Sequence, residues 1–214
     1  MTESIDGYER RRRIIRNQIL DAAISLIKAR GDTDMTVREI ASCAGVSPAT
    51  PFNHFKSKDG IFGAIVTRSM RELYGNAQDK QTVTGGFIDI TNYYIANQEL
   101  YKPVFGVVLQ TIPPTSRTLQ MALDGIRRRI ELQIQRGQLS AQVAPSVLAE
   151  QLEIFWFGTV ILWSGGTFSS DEWLIRVELG IELMLNGLYL DTSRARSTRR
   201  VTKLLKQIPP LSNR

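Results

Sequence analysis

Apolar residues recur at three- and four-residue spacing through almost every segment of this chain, and no segment alternates convincingly between apolar and polar. That spacing is the signature of helices with one buried face, and it leaves a sheet nowhere to form. An all-α protein is expected. Its 214 residues are enough for one domain or two and for a sizeable core. With 43% apolar and 22% charged residues the chain has an ordinary globular composition.

Helix punctuation divides the chain. Ile15, Ile19, Ala22, Leu26 and Ile27 share one face of a first helix, which Gly31 stops. In MTVREIASCAG, Thr36 can cap a second helix, and Glu39 three residues on can complete a capping box. Gly45 ends that helix after about two turns. Ser57 caps KDGIFGAIVTRSMRELYG, which ends near Gly75, and the polar, Gly-rich NAQDKQTVTGG reads as a loop. Helices are expected next over 87–100, 103–112 and 116–136, the second broken by Pro113 and Pro114. Pro145 opens a helix over 145–163, and DEWLIRVELGIELMLNGLYL forms the last large one. The divisions expected are 1–56, a connecting helix 57–75, a larger bundle 76–190 and a basic tail 191–214.

Position matters more than total charge. The net +6 is held entirely by the tail from Asp191 to Arg214, and the residues before it balance. The cluster Arg10 to Arg13, with Arg16, is the sharper footprint for nucleic acid. It reads equally as a solvated helix start or as an arm tracking a minor groove. The opening MTESIDGYERRRR has acids and no apolar h-region, so no secretory leader is expected and a cytoplasmic location follows. Cys43 is the sole cysteine, which excludes an internal disulfide, and it is expected to be a small buried residue. The uncharged run from Ile154 to Ser170 has only about ten strongly apolar residues, short of a bilayer span, and reads as a buried helix rather than a membrane segment. One His and one Cys cannot build a metal cluster, and no phosphate loop or nucleophile motif occurs, so no catalytic residue, metal or cofactor is expected. Glu150 and Glu153 share a helix face and read as solvent-facing charge.

The stretch GVSPATPFNHFKSKDG carries two prolines three residues apart and the only histidine. Pro48 suits the first position of a helix capped by Ser47, but Pro51 would then disturb Thr50. Moving the cap to Thr50 makes Pro51 a first-turn residue and leaves a helix of little more than about one and a half turns behind a rigid Ser-Pro-Ala turn. Phe55 is expected in the core, on the same inward face as Phe52. A short helix, a Gly-containing turn and a second short helix form a helix-turn-helix pattern.

The segments RNQILDAAISLI, TVREIASCAGVS and ATPFNHFKSKDGIF resemble the DNA-binding domain of the tetracycline-repressor (TetR) family of bacterial transcription regulators. The resemblance runs from Arg10 to about Ala64, a little over a quarter of the chain. It implies an N-terminal three-helix reading head followed by a helical ligand-binding and dimerisation domain. Thr36 and Lys58 would contact phosphates. Ser47, Pro48, Ala49, Thr50 and Asn53 would line the major groove, with Arg38 and Phe52 also in the DNA-facing set. His54 occupies a position where the family has His or Tyr near a phosphate, although a plain surface hydrogen bond would also explain it. Pro51 stands where an aliphatic is usual, and Phe52 where Tyr is usual, so a hydroxyl-to-phosphate bond is missing.

The remaining helices carry the expectations for ligand and partner. Phe87, Tyr94, Phe105, Leu109, Leu123 and Ile126, with Asn92 and Gln110 as polar orienting groups, are expected to wall a mostly apolar pocket for a neutral small molecule. Phe155, Thr159 and Leu162, with Leu174, Val177, Ile181 and Leu185, are expected to form a four-helix dimer seam, although the aromatic set there also reads as core. In the tail, Val201, Leu204, Leu205 and Ile208 line one face of a short helix that either docks on the body or contacts DNA or a membrane. Together these features imply a homodimeric repressor that reads a palindromic double-stranded operator and is released by a small hydrophobic effector. The alternatives are a dimeric DNA binder without a ligand and a helical enzyme with an incidental helix-turn-helix.

Overall fold

A computed structural model describes residues 2–75, 82–109 and 117–208 of the chain. The described residues are almost entirely helical, with no strand among them; Leu139 and Tyr189 form an isolated bridge. The helices are α1 (Thr2–Arg30), α2 (Val37–Cys43), α3 (Thr50–Phe55), α4 (Lys58–Gly75), α5 (Val83–Ala96), α6 (Gln98–Val108), α7 (Arg117–Gln135), α8 (Pro145–Ser164), α9 (Ser170–Asn186) and α10 (Asp191–Leu205). They divide into two compact units: Met1–Ser69 with Glu99–Ile112, and Met70–Gln98 with Pro113–Arg214.

The first unit is built on a core of Ile19, Ala23, Ile27, Met35, Ile40, Ala41, Ile61 and Phe62, all fully buried. The periodicity of the first helix is therefore real, but α1 extends back to Thr2, so Arg10 to Arg13 are exposed residues of a helix rather than an extended arm. The capping box of α2 forms in full: Thr36 Oγ1 accepts from the Glu39 N–H at 3.2 Å, and Glu39 accepts from the Thr36 N–H at 2.7 Å. At its other end the Val46 N–H reaches Ala41 and the Gly45 N–H reaches Ser42, with Gly45 at φ +66°. This paired closure satisfies two end carbonyls and needs a left-handed residue, which is why glycine stands there. Cys43 is exposed, contrary to expectation, because it falls on the outer face of that last turn.

In the second unit the three tryptophans, all buried, set the core. Trp163 and Trp173 stack at 4.1 Å, and each indole N–H finds an oxygen: Trp156 on Thr91, Trp163 on Ser170 and Trp173 on Thr159. Buried indoles need such partners. α8 has the 20 residues and the apolarity of a bilayer span, more than the sequence count allowed. Its inner face, with Leu152, Trp156, Val160 and Trp163, nevertheless packs within the helical core. α9 opens on a capping box at Ser169 and Glu172. In α10, Val201 and Leu204 pack with Leu179, so the basic tail helix docks on the body, while Leu205 points outward.

Two boundaries differ from the sequence reading. α5 begins at Val83 because Thr82 caps it, accepting from the Gly85 N–H at 3.0 Å; the apparent loop TVTGG is its first turn. The Arg129 side chain lies close over Gly86, where a Cβ would stand 2.8 Å from it. The break between the next two helices falls at Asn97, and Pro103 lies inside α6 instead of opening it. Glu153 is a larger correction: it is buried on α8, whereas Glu150 is exposed.

Candidate nucleic-acid interface

α3 is six residues long and is held from behind. Pro51 and Phe55, four apart and so on one face, are its buried residues. Phe52 lies on the other face, half exposed, not inward with Phe55 as its spacing suggested. The cap position is Ala49, one residue earlier than expected, with no side-chain bond. Thr50 is instead the first helical residue; its N–H bonds the Ser47 carbonyl at 2.9 Å and its hydroxyl lies 2.8 Å from that of Ser47. Pro51 then occupies the first turn, where a missing N–H leaves no bond unmade. Pro48 belongs to the preceding turn.

The junction to α4 is tight. Lys56 adopts φ +68°, and Ser57 caps α4 by accepting from the Gly60 N–H at 3.0 Å. A Cβ on Gly60 would fall 2.1 Å from the Phe55 carbonyl oxygen, so only glycine permits this approach. From the side of α1, Arg16 donates to the His54 carbonyl at 3.2 Å, and its guanidinium lies 4.2 Å over the Phe55 ring. The sequence reading missed Pro51, Gly60 and Arg16 as supports. Only Pro51 had a local signal, its four-residue spacing to Phe55.

The candidate contact residues share the surface of this unit. Thr36, Arg38, Ser47, Pro48, Ala49, Phe52 and Asn53 are exposed; Thr50, His54 and Lys58 are partly covered. Thr36 Oγ1 is engaged in its capping box, and Lys58 Nζ donates to the Thr33 carbonyl at 3.0 Å, leaving the ammonium further N–H groups. Partial burial first, then the charges of Arg12 and Arg16, hold the His54 imidazole below its ordinary 6.5. Glu39 is held down to about 2, chiefly by the Thr36 backbone N–H and then by Arg30 at 2.6 Å, so the one acid in the capping box stays ionised. The face thus combines cationic groups (Arg12, Arg38, Lys58) with a histidine and short uncharged side chains at the front of α3. Such a face suits a phosphate backbone and base edges.

The candidate ligand and dimer residues fall as follows. Phe87 and Ile126 line one cavity with Val83, Gly86, Ile90 and Arg129, but its free space is only about 10 Å³. Tyr94 is buried against Trp156, Leu123 is half-buried and Asn92 is exposed. Phe105 is buried and Leu109 half-buried in the first unit; Gln110 lies outside the described residues. Of the seam residues, Thr159, Val177, Ile181 and Leu185 are buried inside the single chain. The Thr159 hydroxyl is spent on the Trp156 carbonyl and the Trp173 N–H. This stripe therefore faces the protomer's own core. Phe155 packs over Gly180, where a Cβ would meet its ring at 2.0 Å, and Leu174 is half-buried. The outward face of α8 carries Ile154 at 65%, Ile161 at 54% and Leu162 at 38% exposure, with Gly158 beside them, and α9 adds Leu183 at 50%.

A capped short helix, a glycine-closed turn and a second short helix form a helix-turn-helix. Residues 19–65 match the family model of bacterial regulatory proteins of the tetR family. It is 45% identical over 58 residues to the HTH-type transcriptional regulator BetI of Brucella anthropi, a match covering 27% of this chain and 30% of that regulator. The chain thus spans less than a third of the length of these curated relatives. Over a longer span, 83% of this chain and 84% of the relative, it is 24% identical to the uncharacterised HTH-type transcriptional regulator Mb0790c of Mycobacterium bovis. The fold is shared with SmeT, the repressor of the Stenotrophomonas maltophilia multidrug efflux pump SmeDEF, at a TM-score of 0.61 and 23% identity, covering 83% of this chain and 92% of that one. A SmeT–triclosan complex has a TM-score of 0.54 and the same identity, covering 84% and 94%.

Proposed function

We propose that this protein is a homodimeric transcriptional repressor in the bacterial cytoplasm that reads a palindromic operator with α3 and leaves it when a small apolar effector binds the C-terminal helices. The observation that carries the reading is the division of α3 into a buried back, Pro51 and Phe55, and an exposed front, Ala49, Phe52 and Asn53. Asn53 suits bidentate bonding to adenine, and the Phe52 ring suits a thymine methyl. Lys58 and Arg38 supply the sequence-independent attraction to phosphate. In this scheme residues 1–56 read DNA, 57–75 connect, and 76–190 bind effector and partner.

The outward apolar face of α8, Ile154, Gly158, Ile161 and Leu162, with Leu183 of α9, supports a two-fold seam. The seam is assigned to this face in place of the buried stripe of α9. A dimer would set two reading heads about one DNA turn, ~34 Å, apart on a palindrome. Effector release requires only differential affinity; a 100-fold loss of operator binding corresponds to about 2.7 kcal/mol of coupling.

One observation favours a second reading, a dimeric DNA binder without effector: the cavity at Phe87 and Ile126 is nearly filled. Selection of bound sequences from random and genomic DNA, followed by titration of the recovered operator, tests the DNA reading. Recovery of no common sequence refutes it. Adding triclosan and other apolar compounds to the operator complex then separates the two readings. Stabilising ligands that leave operator affinity unchanged would support the second.

A further inference from the structure

A cavity of about 310 Å³ opens among the first turn of α5, the end of α7, α9 and α10. It lies on the opposite side of α5 from the small apolar cavity: Thr84, Gly85 and Ile88 face it, whereas Val83, Gly86, Phe87 and Ile90 face the other. Most of its lining residues are polar. Thr84, Gln133, Glu182, Tyr189 and Ser197 all line it, and none is more than 8% exposed. Buried polar groups of this number demand partners.

Most of them are accounted for. Gln133 Oε1 accepts from the Val83 N–H at 2.7 Å. Thr84 Oγ1 donates to Glu182 Oε1 at 2.7 Å, and the Tyr189 hydroxyl lies 3.4 Å from the same oxygen. Burial pushes the Tyr189 phenol up to about 12, so it stays a neutral donor. At the rim, Glu178 is closed by Arg200, whose Nη2 lies 2.6 Å from Oε2. Two groups remain open. The Ser197 hydroxyl is buried with no partner among the described residues. Glu182 makes no ion pair among the described residues: Arg200 acts on it only through space while bonded to Glu178, and hydrogen-bond donors engage only its Oε1.

A carboxylate in such a place calls for a compact cation that donates hydrogen bonds. An anion would meet Glu182 directly; of the two guanidinium groups in the lining, Arg200 is taken by Glu178 and Arg196 is exposed to solvent. A quaternary cation has no N–H to give, and Tyr189 is the only aromatic among the lining residues, too few for a cage. We propose that this cavity is a second small-molecule site, and that it takes a small primary or secondary ammonium ligand whose N–H groups bond to Glu182 and Ser197. The site is independent of the DNA reading and of the apolar effector.

The test uses the full chain and a panel of methylammonium, butylammonium, cyclohexylammonium and 1,4-diaminobutane, with cyclohexanol and tetramethylammonium as controls. Binding is followed by calorimetry and thermal shift at constant ionic strength. At least one of the amines binds at millimolar concentration or below and raises Tm, while neither control does. Glu182→Gln keeps the size and the bond from Thr84 but removes the charge, and lowers amine affinity roughly 10- to 100-fold. Ser193→Phe, at a lining residue that is partly exposed, blocks entry without touching Glu182 and decides the matter if Glu182→Gln does not fold. Absence of binding by every amine overturns the proposal. So does equal affinity in the wild type and the folded variant, or equal shifts by cyclohexanol and cyclohexylammonium.

Discussion

Replacing Glu153 by Gln should stabilise the protein, by an amount that grows with pH. Glu153 is 2% exposed on the inner face of α8, and its Oε1 has no hydrogen-bond partner among the described residues. Burial pushes its carboxyl from 4.5 up to about 8. Between those values the folded state holds a proton that the unfolded chain has released, so stability falls as pH rises through the window and levels off above it. Each pH unit inside the window is worth about 1.4 kcal/mol. From about pH 5 to about pH 8 the wild type should therefore lose about 3–4 kcal/mol from this group alone. Gln carries no titrating proton, so the variant lacks that slope. His54 contributes with the opposite sign, since burial, Arg12 and Arg16 lower it from 6.5, but it is common to both proteins and cancels in the difference. Urea unfolding of the two proteins at several pH values gives the comparison directly. Parallel stability curves would refute the reasoning, because they would mean that Glu153 ionises in the folded protein as readily as in water.

Gly60→Ala should destabilise the first unit by about 1–3 kcal/mol and weaken operator binding, since the new methyl meets the Phe55 carbonyl; an unchanged melting curve would count against the close approach. Asn53→Ala should cost about 1–3 kcal/mol on the operator and relax its sequence preference. Lys58→Ala should weaken all sequences alike and reduce the salt slope by about one contact, and titrations on operator and scrambled DNA at several salt concentrations would expose a failure of that division. Ile161→Glu, on the exposed face of α8, should give folded monomers in sedimentation, whereas Ile181→Glu buries a charge at a 0% exposed position and should unfold the chain. A folded Ile181→Glu monomer would return the seam to α9.

What the sequence made legible was local. Thr36 with Glu39, Gly45, Pro145 and Ser57 each announce a helix end through a bond between near neighbours, and each end forms as expected within a residue. What it hid depends on residues far apart in the chain. TVTGG reads as a loop by composition, yet it is the first turn of α5, where the Val83 N–H bonds Gln133 and the Arg129 side chain lies close to Gly86. The stripe Val177, Ile181 and Leu185 has the spacing of any buried helix face, and spacing alone does not say whether the cover is the same chain or a second copy. Glu153 follows the same logic in reverse. A carboxylate is assigned to solvent by default, and only the packing of α8 shows it inside. The candidate DNA face was legible because it rests on one contiguous motif, whereas the ligand residues were drawn from several helices.

The two prolines acquire their reason from the length of α3. Six residues cannot hold a helix in water, since nucleation costs more than so few bonds return. The element exists only because its back is fixed: Pro51 presets a helical φ and is buried, Phe55 is buried four residues on, and Arg16 holds the His54 carbonyl and covers the Phe55 ring. Pro48 stiffens the turn before it, and Gly60 lets α4 close behind it. Ordering is thus completed before DNA arrives, so less entropy is lost on docking. The same arrangement frees the front. Ala49, Phe52 and Asn53 are exposed, so the fold demands little of them and the operator can specify them. Changes at the front should therefore redirect sequence preference at nearly constant stability, while changes at Pro51, Phe55 or Gly60 should lower stability and binding together.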